Sequence, residues 1–263
     1  MSKVLATDLD GTLIPLADEP ENARDLTQLA EQLSRQKITL IFVTGRHLAS
    51  VQGAIEQFSL PAPDWVICDV GTSIYHWKKD QFELVPSYAE HLQTIVGDQP
   101  PARIRERLLT WQTLRLQEEE KQGRFKLSYY CDADQLQECE QALHDFIQQD
   151  DLPYGVIASI DPFDGVGLID LLPRDASKAY ALKWWTGHIG HAHDQTIFAG
   201  DSGNDLAAML AGYRTIVVGN ASRSLGERVQ TRFRETNQLD RLYLAQHRAT
   251  SGVLEGCRHF GWL

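Results

Sequence analysis

Asp8-Leu9-Asp10-Gly11-Thr12 stands directly after a short apolar run, Val4-Leu5-Ala6, and is the stretch of the chain best equipped for chemistry. In an extended strand residues i and i+2 share a face, so Asp8 and Asp10 project together where Gly11 lets the chain turn away. Paired carboxylates at a strand end suit phosphoryl transfer. One can attack phosphorus to form an aspartyl-phosphate, while the other gives a proton to the departing oxygen and later takes one from water. Two carboxylates repel a phosphate dianion, so an oxygen-preferring divalent cation such as Mg2+ is required to bridge the charges. Taken alone, the same residues also read as a capped turn after an edge strand.

If Asp8 attacks phosphorus, the site also needs a cradle of hydroxyl or N–H groups for the phosphoryl oxygens, a cation to neutralise them, and further acidic metal ligands. Thr44-Gly45 follows the apolar run Ile38 to Val43, so the Thr44 hydroxyl and the Gly45 N–H can meet a phosphate at the carboxyl end of a strand. Lys178, just inside a helix whose N-cap would be Ser177, can reach back as a point charge. Gly200-Asp201-Ser202-Gly203-Asn204-Asp205 follows another apolar strand. It places two carboxylates and an amide in one glycine-bearing turn, as Mg2+ binding requires when Asp8 comes from a distant strand. Each stretch by itself has an ordinary structural reading, as a turn or as a solvated helix start.

These groups can act together only if strands deliver them to one edge. Hydrophobic patterning predicts a strand at 4–7, a helix at 21–36, a strand at 38–43, a helix at 47–58 and a strand at 65–68. That alternation is the signature of a parallel sheet with crossovers. A hairpin is expected next, at 74–77 and 82–85 around Lys78-Lys79-Asp80, leading out of the core. Residues 88–122 read as helices broken at 97–101, with Glu118-Glu119-Glu120 on a solvated helix face. A strand at 125–130, a helix at 135–147 and strands at 154–160 and 166–172 complete a unit that patterning bounds at 84–170. The alternation then resumes with a helix at 177–185, a strand at 196–199, a helix at 205–210, a strand at 215–218 and a last helix at 250–260.

The 263 residues, 43% hydrophobic, suffice for a large α/β core with a second domain inserted. A net charge of −11 argues against a nucleic-acid partner, which would call for a basic surface. A local pocket can still hold one small anion. Cys68, Cys131, Cys139 and Cys257 are widely spread and form neither a C-x-x-C pair nor a zinc spacing, so a reducing, cytoplasmic setting is expected. His188, His191 and His193 read as a helix end and loop, with no acidic partner to complete a metal sphere. No signal-peptide core opens the sequence and no apolar run is long enough to span a bilayer, so no membrane partner is expected.

The ordered set Asp8 to Thr12, Thr44-Gly45-Arg46, Lys178 and Gly200 to Asp205 resembles the four motifs of the haloacid dehalogenase superfamily. The insertion point, between the second and third motifs, resembles the branch whose cap is a small α/β domain. The resemblance implies an α/β fold: a Rossmann-like parallel-sheet core, 1–83 with 171–263, and an inserted α/β cap, 84–170. It also implies roles. Asp8 would be the nucleophile and Asp10 the general acid/base. Gly11, Thr44, Gly45, Lys178 and Asn204 would bind phosphate. Asp8, Asp10 through its carbonyl, Asp201 and Asp205 would serve Mg2+. Within that branch Val70-Gly71-Thr72-Ser73-Ile74-Tyr75-His76, Phe125 to Tyr130, Ile169 to Pro173 and the tail Gly252 to Phe260 are similar to the sucrose-phosphatase family. Two departures fall where a sugar would bind: Ser73 stands in place of an expected glutamate, and segment 97–123 is longer and more charged.

The expected activity is a Mg2+-dependent sugar-phosphate phosphatase acting on a small molecule, a disaccharide phosphate such as sucrose 6-phosphate. Mannosylfructose phosphate, glucosylglycerate phosphate or a broad set of hexose phosphates are the other substrates compatible with that class. A phosphomutase and a non-catalytic phosphosugar sensor are the rival readings, and the protein is expected to be a monomer or a dimer. Arg46 and His47, just beyond the second motif, can reach a substrate, as can Ser73. In the inserted segment Lys126 and Tyr129 are candidates, on opposite faces of one strand if alternation holds.

Overall fold

Val4-Leu5-Ala6-Thr7 offers water no polar face, and a strand of that kind is stable only inside a sheet covered on both sides. The computed structural model, which describes residues 3–161 and 164–263, places it there. β1 (Val4–Thr7), α1 (Pro20–Gln36), β2 (Thr39–Val43), α2 (Leu48–Phe58) and β3 (Trp65–Cys68) alternate as the patterning requires. α1 turns Leu26, Leu29 and Leu33 inward, and each such burial contributes about 1.5–3 kcal/mol. β4 (Ser73–Lys78) and β5 (Gln81–Leu84) form the expected hairpin, with Lys79 and Asp80 both at positive φ as its two-residue turn requires. The hairpin closes the first stretch of the core, and the chain passes into the second unit at Val85. Trp65 pairs with His76 and Cys68 with Ser73, so the hairpin becomes the antiparallel edge of the same sheet.

The chain divides into two units, one running up to Leu84 and resuming at Lys178–Leu263, the other Val85–Ser177. The second contains α3 (Pro86–Val96), α4 (Pro101–Leu108), β6 (Arg115–Leu116), β7 (Leu127–Cys131), α5 (Leu136–Gln149), β8 (Tyr154–Ile160) and β9 (Gly167–Pro173). Its antiparallel sheet runs β6-β7-β9-β8, and α5 buries Cys139, Leu143 and Ile147 at a four-residue spacing. The helix expected to run to 122 stops at Leu108. Arg115 and Leu116 instead pair with Tyr130 and Tyr129, and the Gln117 N–H donates to the Ser128 carbonyl (2.9 Å), so the sheet claims this segment as its edge. Glu118, Glu119 and Glu120 are exposed, at the start of a single 3-10 turn (Glu119–Lys121) rather than on an α-helix.

The first unit resumes with α6 (Lys178–Ile189), β10 (Thr196–Gly200), α7 (Leu206–Met209), β11 (Arg214–Val217), α8 (Arg223–Glu235), β12 (Leu242–Leu244) and α9 (Ala249–His259). Its sheet order is β12-β11-β10-β1-β2-β3-β4-β5, parallel from β12 through β3. The carboxyl ends of β1, β2 and β10 therefore share one edge. α9 packs on α1, where the Asn22 side-chain amide donates to Ser251 Oγ (2.8 Å) and to the Arg248 carbonyl (3.2 Å).

Candidate active site

The parallel register puts Thr7 beside Phe42 on one side and Ala199 on the other, so Asp8, Thr44 and Asp201 each lie one or two residues beyond the same sheet edge. The Asp8 N–H continues the ladder by donating to the Ala199 carbonyl (3.0 Å), which fixes the backbone from which its side chain projects. Past it, Leu9–Leu13 forms a wide turn closed by the Ile14 N–H on the Leu9 carbonyl (2.9 Å), with Gly11 at φ +71°. A Cβ on Gly11 would lie 2.5 Å from Asp201 Oδ2, so this position must be glycine on both conformational and steric grounds.

Lys178, the first residue of α6, is 1% exposed and ends among three acceptors. Its Nζ lies 2.9 Å from Asp8 Oδ1 and donates to Asp205 Oδ1 (2.8 Å) and Asn204 Oδ1 (3.0 Å). All three ammonium hydrogens are thereby engaged. Asp205 Oδ2 accepts from the N–H groups of Asp201 and Ser202 (both 3.2 Å), which ties the whole 201–205 turn to the lysine. Carboxylate oxygens of Asp8, Asp201 and Asp205 lie within 4.8 Å of one another.

Three buried or half-buried carboxylates against one ammonium leave a surplus of negative charge, and the titration of the site reflects it. Burial, reinforced by Asp205, pushes Asp8 well above the usual carboxylate range despite the pull of Lys178. Burial and then Asp205 push Asp201 up to about 6. Burial opposes the charge on Lys178, but Asp205 and Asp8 outweigh it and hold the ammonium protonated. A surplus of about two negative charges, carried by hard oxygen donors, fits a divalent oxygen-seeking cation.

The other residues singled out by sequence divide into two groups. Thr44 is buried beside the site with its Oγ1 accepting from the Arg46 N–H (3.2 Å), and Gly45 follows it. Arg46 turns onto Asp10: Nε and Nη2 each donate to one carboxylate oxygen at 2.7 Å. His47 caps α2, its Nδ1 accepting from the Ser50 N–H (3.3 Å), and Ser73 begins β4. Lys126 and Tyr129 belong to the second unit and are both buried in it; burial pushes the Tyr129 phenol up to about 12. The three histidines near the end of α6 take separate aromatic partners, His188 on Trp184, His191 on Trp185 and His193 on Tyr213.

Three side-chain contacts of the site carry no local signature in the sequence, although Thr12 itself stands in the first motif. Thr12 Oγ1 donates to Asp201 Oδ1 (3.0 Å) across 189 residues of chain. The Asn220 amide donates to the Gly11 carbonyl (2.8 Å) and accepts from the Ala249 N–H (2.8 Å), so one side chain links the Leu9–Leu13 turn to the start of α9. Thr250 adds a hydroxyl on the Leu13 carbonyl (2.6 Å).

The family described as sucrose-6F-phosphate phosphohydrolase matches residues 1–261. The chain belongs to that family. A putative haloacid dehalogenase-like hydrolase of Nitrosococcus oceani is 33% identical over 98% of this chain and 71% of its own length. The mannosylfructose-phosphate phosphatase of Agrobacterium fabrum is 31% identical over 98% of this chain and 97% of its own. The sucrose-phosphatase of Synechocystis, solved in complex with sucrose and phosphate, superposes with a TM-score of 0.80 at 25% identity and covers both chains fully. As a sucrose-6F-phosphate phosphohydrolase relative with a haloacid dehalogenase fold, the protein is a sugar-phosphate phosphatase, a phosphoric monoester hydrolase. Hydrolysis is thus favoured over the mutase and sensor readings. No helix among the described residues is long and apolar enough to cross a membrane.

Proposed function

We propose that the protein hydrolyses a disaccharide phosphate, with sucrose 6-phosphate and mannosylfructose phosphate as the leading substrates, through an aspartyl-phosphate on Asp8. The observation that carries the chemistry is the buried Lys178 ammonium, 2.9 Å from Asp8 Oδ1, set among three converging carboxylates. Lys178 orients the Asp8 carboxylate and, with the Thr44 hydroxyl, the Gly45 N–H and the Asn204 amide, receives the phosphoryl oxygens. Asp8 attacks phosphorus in line with the departing sugar oxygen, and Asp10 protonates that oxygen as the P–O bond breaks. Water then attacks the aspartyl-phosphate while Asp10 takes its proton, which releases inorganic phosphate and restores Asp8.

Asp8, Asp201 and the Asp10 carbonyl would hold Mg2+, with Asp205 steadying the turn that carries Asp201. When bound, the ion neutralises the carboxylates and the phosphate dianion so that they can approach one another. The substrate class rests on the activities named for the Agrobacterium and Synechocystis relatives.

The test is phosphate release from a panel of sucrose 6-phosphate, mannosylfructose phosphate, glucosylglycerate phosphate and simple hexose phosphates, with Mg2+ and with EDTA. A strong Mg2+-dependent preference for one disaccharide phosphate is expected. Equal rates across the hexose phosphates would replace the reading with a broad-range phosphatase. Asp8→Asn, nearly isosteric, should abolish turnover while circular dichroism stays unchanged, and an active Asp8→Asn variant would refute the mechanism.

A further inference from the structure

We infer that Arg46 is a positioning residue that acts through Asp10, holding that carboxylate in the plane and direction from which it can serve the leaving sugar oxygen. The inference rests on the roles proposed above for Asp8 and Asp10. Asp10 is poorly constrained by its own surroundings. It sits on the wide turn with extended backbone (φ −69°, ψ 125°), its side chain is 36% exposed, and among the described residues its carboxylate accepts hydrogen bonds from Arg46 alone. A carboxylate on such a turn would sample several rotamers, and a proton donor displaced by an ångström loses much of its effect.

Arg46 removes that freedom. Its two N–H groups meet the two Asp10 oxygens at 2.7 Å each, a bidentate fork that sets the carboxylate plane as a single point charge does not. The fork is itself anchored. Nη1 donates to Ser50 Oγ (3.0 Å), the Arg46 N–H donates to Thr44 Oγ1 (3.2 Å), and the Arg46 carbonyl accepts from the Asp69 N–H (2.9 Å). Its backbone is therefore held by the phosphate-cradle loop on one side and by the turn after β3 on the other. An ionised carboxylate offers about four lone-pair sites and the fork occupies two, so each oxygen keeps one free for the substrate. Lys178 and Arg46 thus divide the work by shape: the ammonium fixes Asp8 in the buried part of the site, and the planar guanidinium fixes Asp10 at its more open side.

The alternative is that Arg46 binds the substrate phosphate directly, and a double-mutant cycle separates the two. Turnover of sucrose 6-phosphate, whose sugar alkoxide needs a proton as it leaves, is compared for wild type, Arg46→Ala, Asp10→Asn and the double variant, with KM measured for each. If Arg46 acts through Asp10, Arg46→Ala lowers kcat about 10- to 100-fold in the wild-type background, a large part of what general acid–base catalysis supplies, and less than about twofold once Asp10 is asparagine. KM changes by less than about threefold, because the removed contact aids the proton transfers rather than substrate binding. Arg46→Lys recovers only part of the loss, because lysine cannot present the fork. It also keeps the test available if the alanine variant fails to fold. Ser50→Ala, which loosens the anchor, should cost about two- to fivefold with the same dependence on Asp10. Equal losses in both backgrounds, or a raised KM with unchanged kcat, would overturn the inference. Retained turnover in Asp8→Asn would overturn the underlying mechanism instead.

Discussion

Asp201 shows how a single carboxylate reports on the charge of the whole site. Burial and then Asp205 push its pKa up to about 6, against about 3.9 in an unfolded chain. Between those values the folded protein binds more protons than the unfolded chain, so through this group the metal-free protein loses stability as pH rises from about 4 to about 6. Asp201→Asn cannot ionise. In EDTA it should melt above wild type near pH 7.5, show no such advantage near pH 4, and lose most of the increase in Tm that Mg2+ gives the wild type by mass action. Thermal melts at the two pH values check this, and identical Tm values for the two proteins in EDTA at both would contradict the surplus charge. Asp8, Lys178 and Asp201 were legible in the sequence because each stands at a strand end or helix start with a residue type the chemistry demands. The bonds that Thr12 and Asn220 make were not, since their partners lie 189 and 209 residues away and only the fold joins them.

At the scale of elements, the turn Leu9–Leu13 is held from outside as much as from within. Asn220 uses both ends of its amide to join Gly11 to Ala249. Asn220→Ala removes both bonds, each worth about 0.5–1.5 kcal/mol, and lets the turn that carries Asp10 relax. The expected result is a kcat reduced about tenfold with KM nearly unchanged and a modest loss of Tm, read by steady-state kinetics and melting. Wild-type turnover in this variant would show that the turn keeps its shape unaided. The same contrast between local and distant causes explains which elements patterning found. The strands at 4–7 and 65–68 matched to the residue because a continuous apolar run bounded by polar residues has few other uses. α8 went unnoticed: its buried stripe is only Leu225, Val229 and Phe233, set among arginines and interrupted by Gly226. The helix drawn through 109–122 failed because pairing with β7 outweighed a composition that suits a helix.

For the molecule as a whole, the net charge of −11 is compatible with an anionic substrate because, on the proposed mechanism, Lys178 and a divalent cation would meet the phosphate locally without a basic surface. All four cysteines are buried thiols, Cys68 and Cys257 in the first unit, Cys131 and Cys139 in the second. Thiol titration with Ellman's reagent should therefore be slow in native buffer and reach four equivalents only after denaturation, and a rapid native reaction would mark local opening of one unit. The bracing of Leu9–Leu13 by Asn220 and Thr250, with Ala249 holding Asn220, ties the turn after Asp8 to parts of the first unit 209 and 237 residues away in sequence. No local segment can shape that turn alone, and it takes its form only as the first unit closes its long-range contacts. Loosening of α9 from α1 would therefore reach the residues after Asp8 without any change near them.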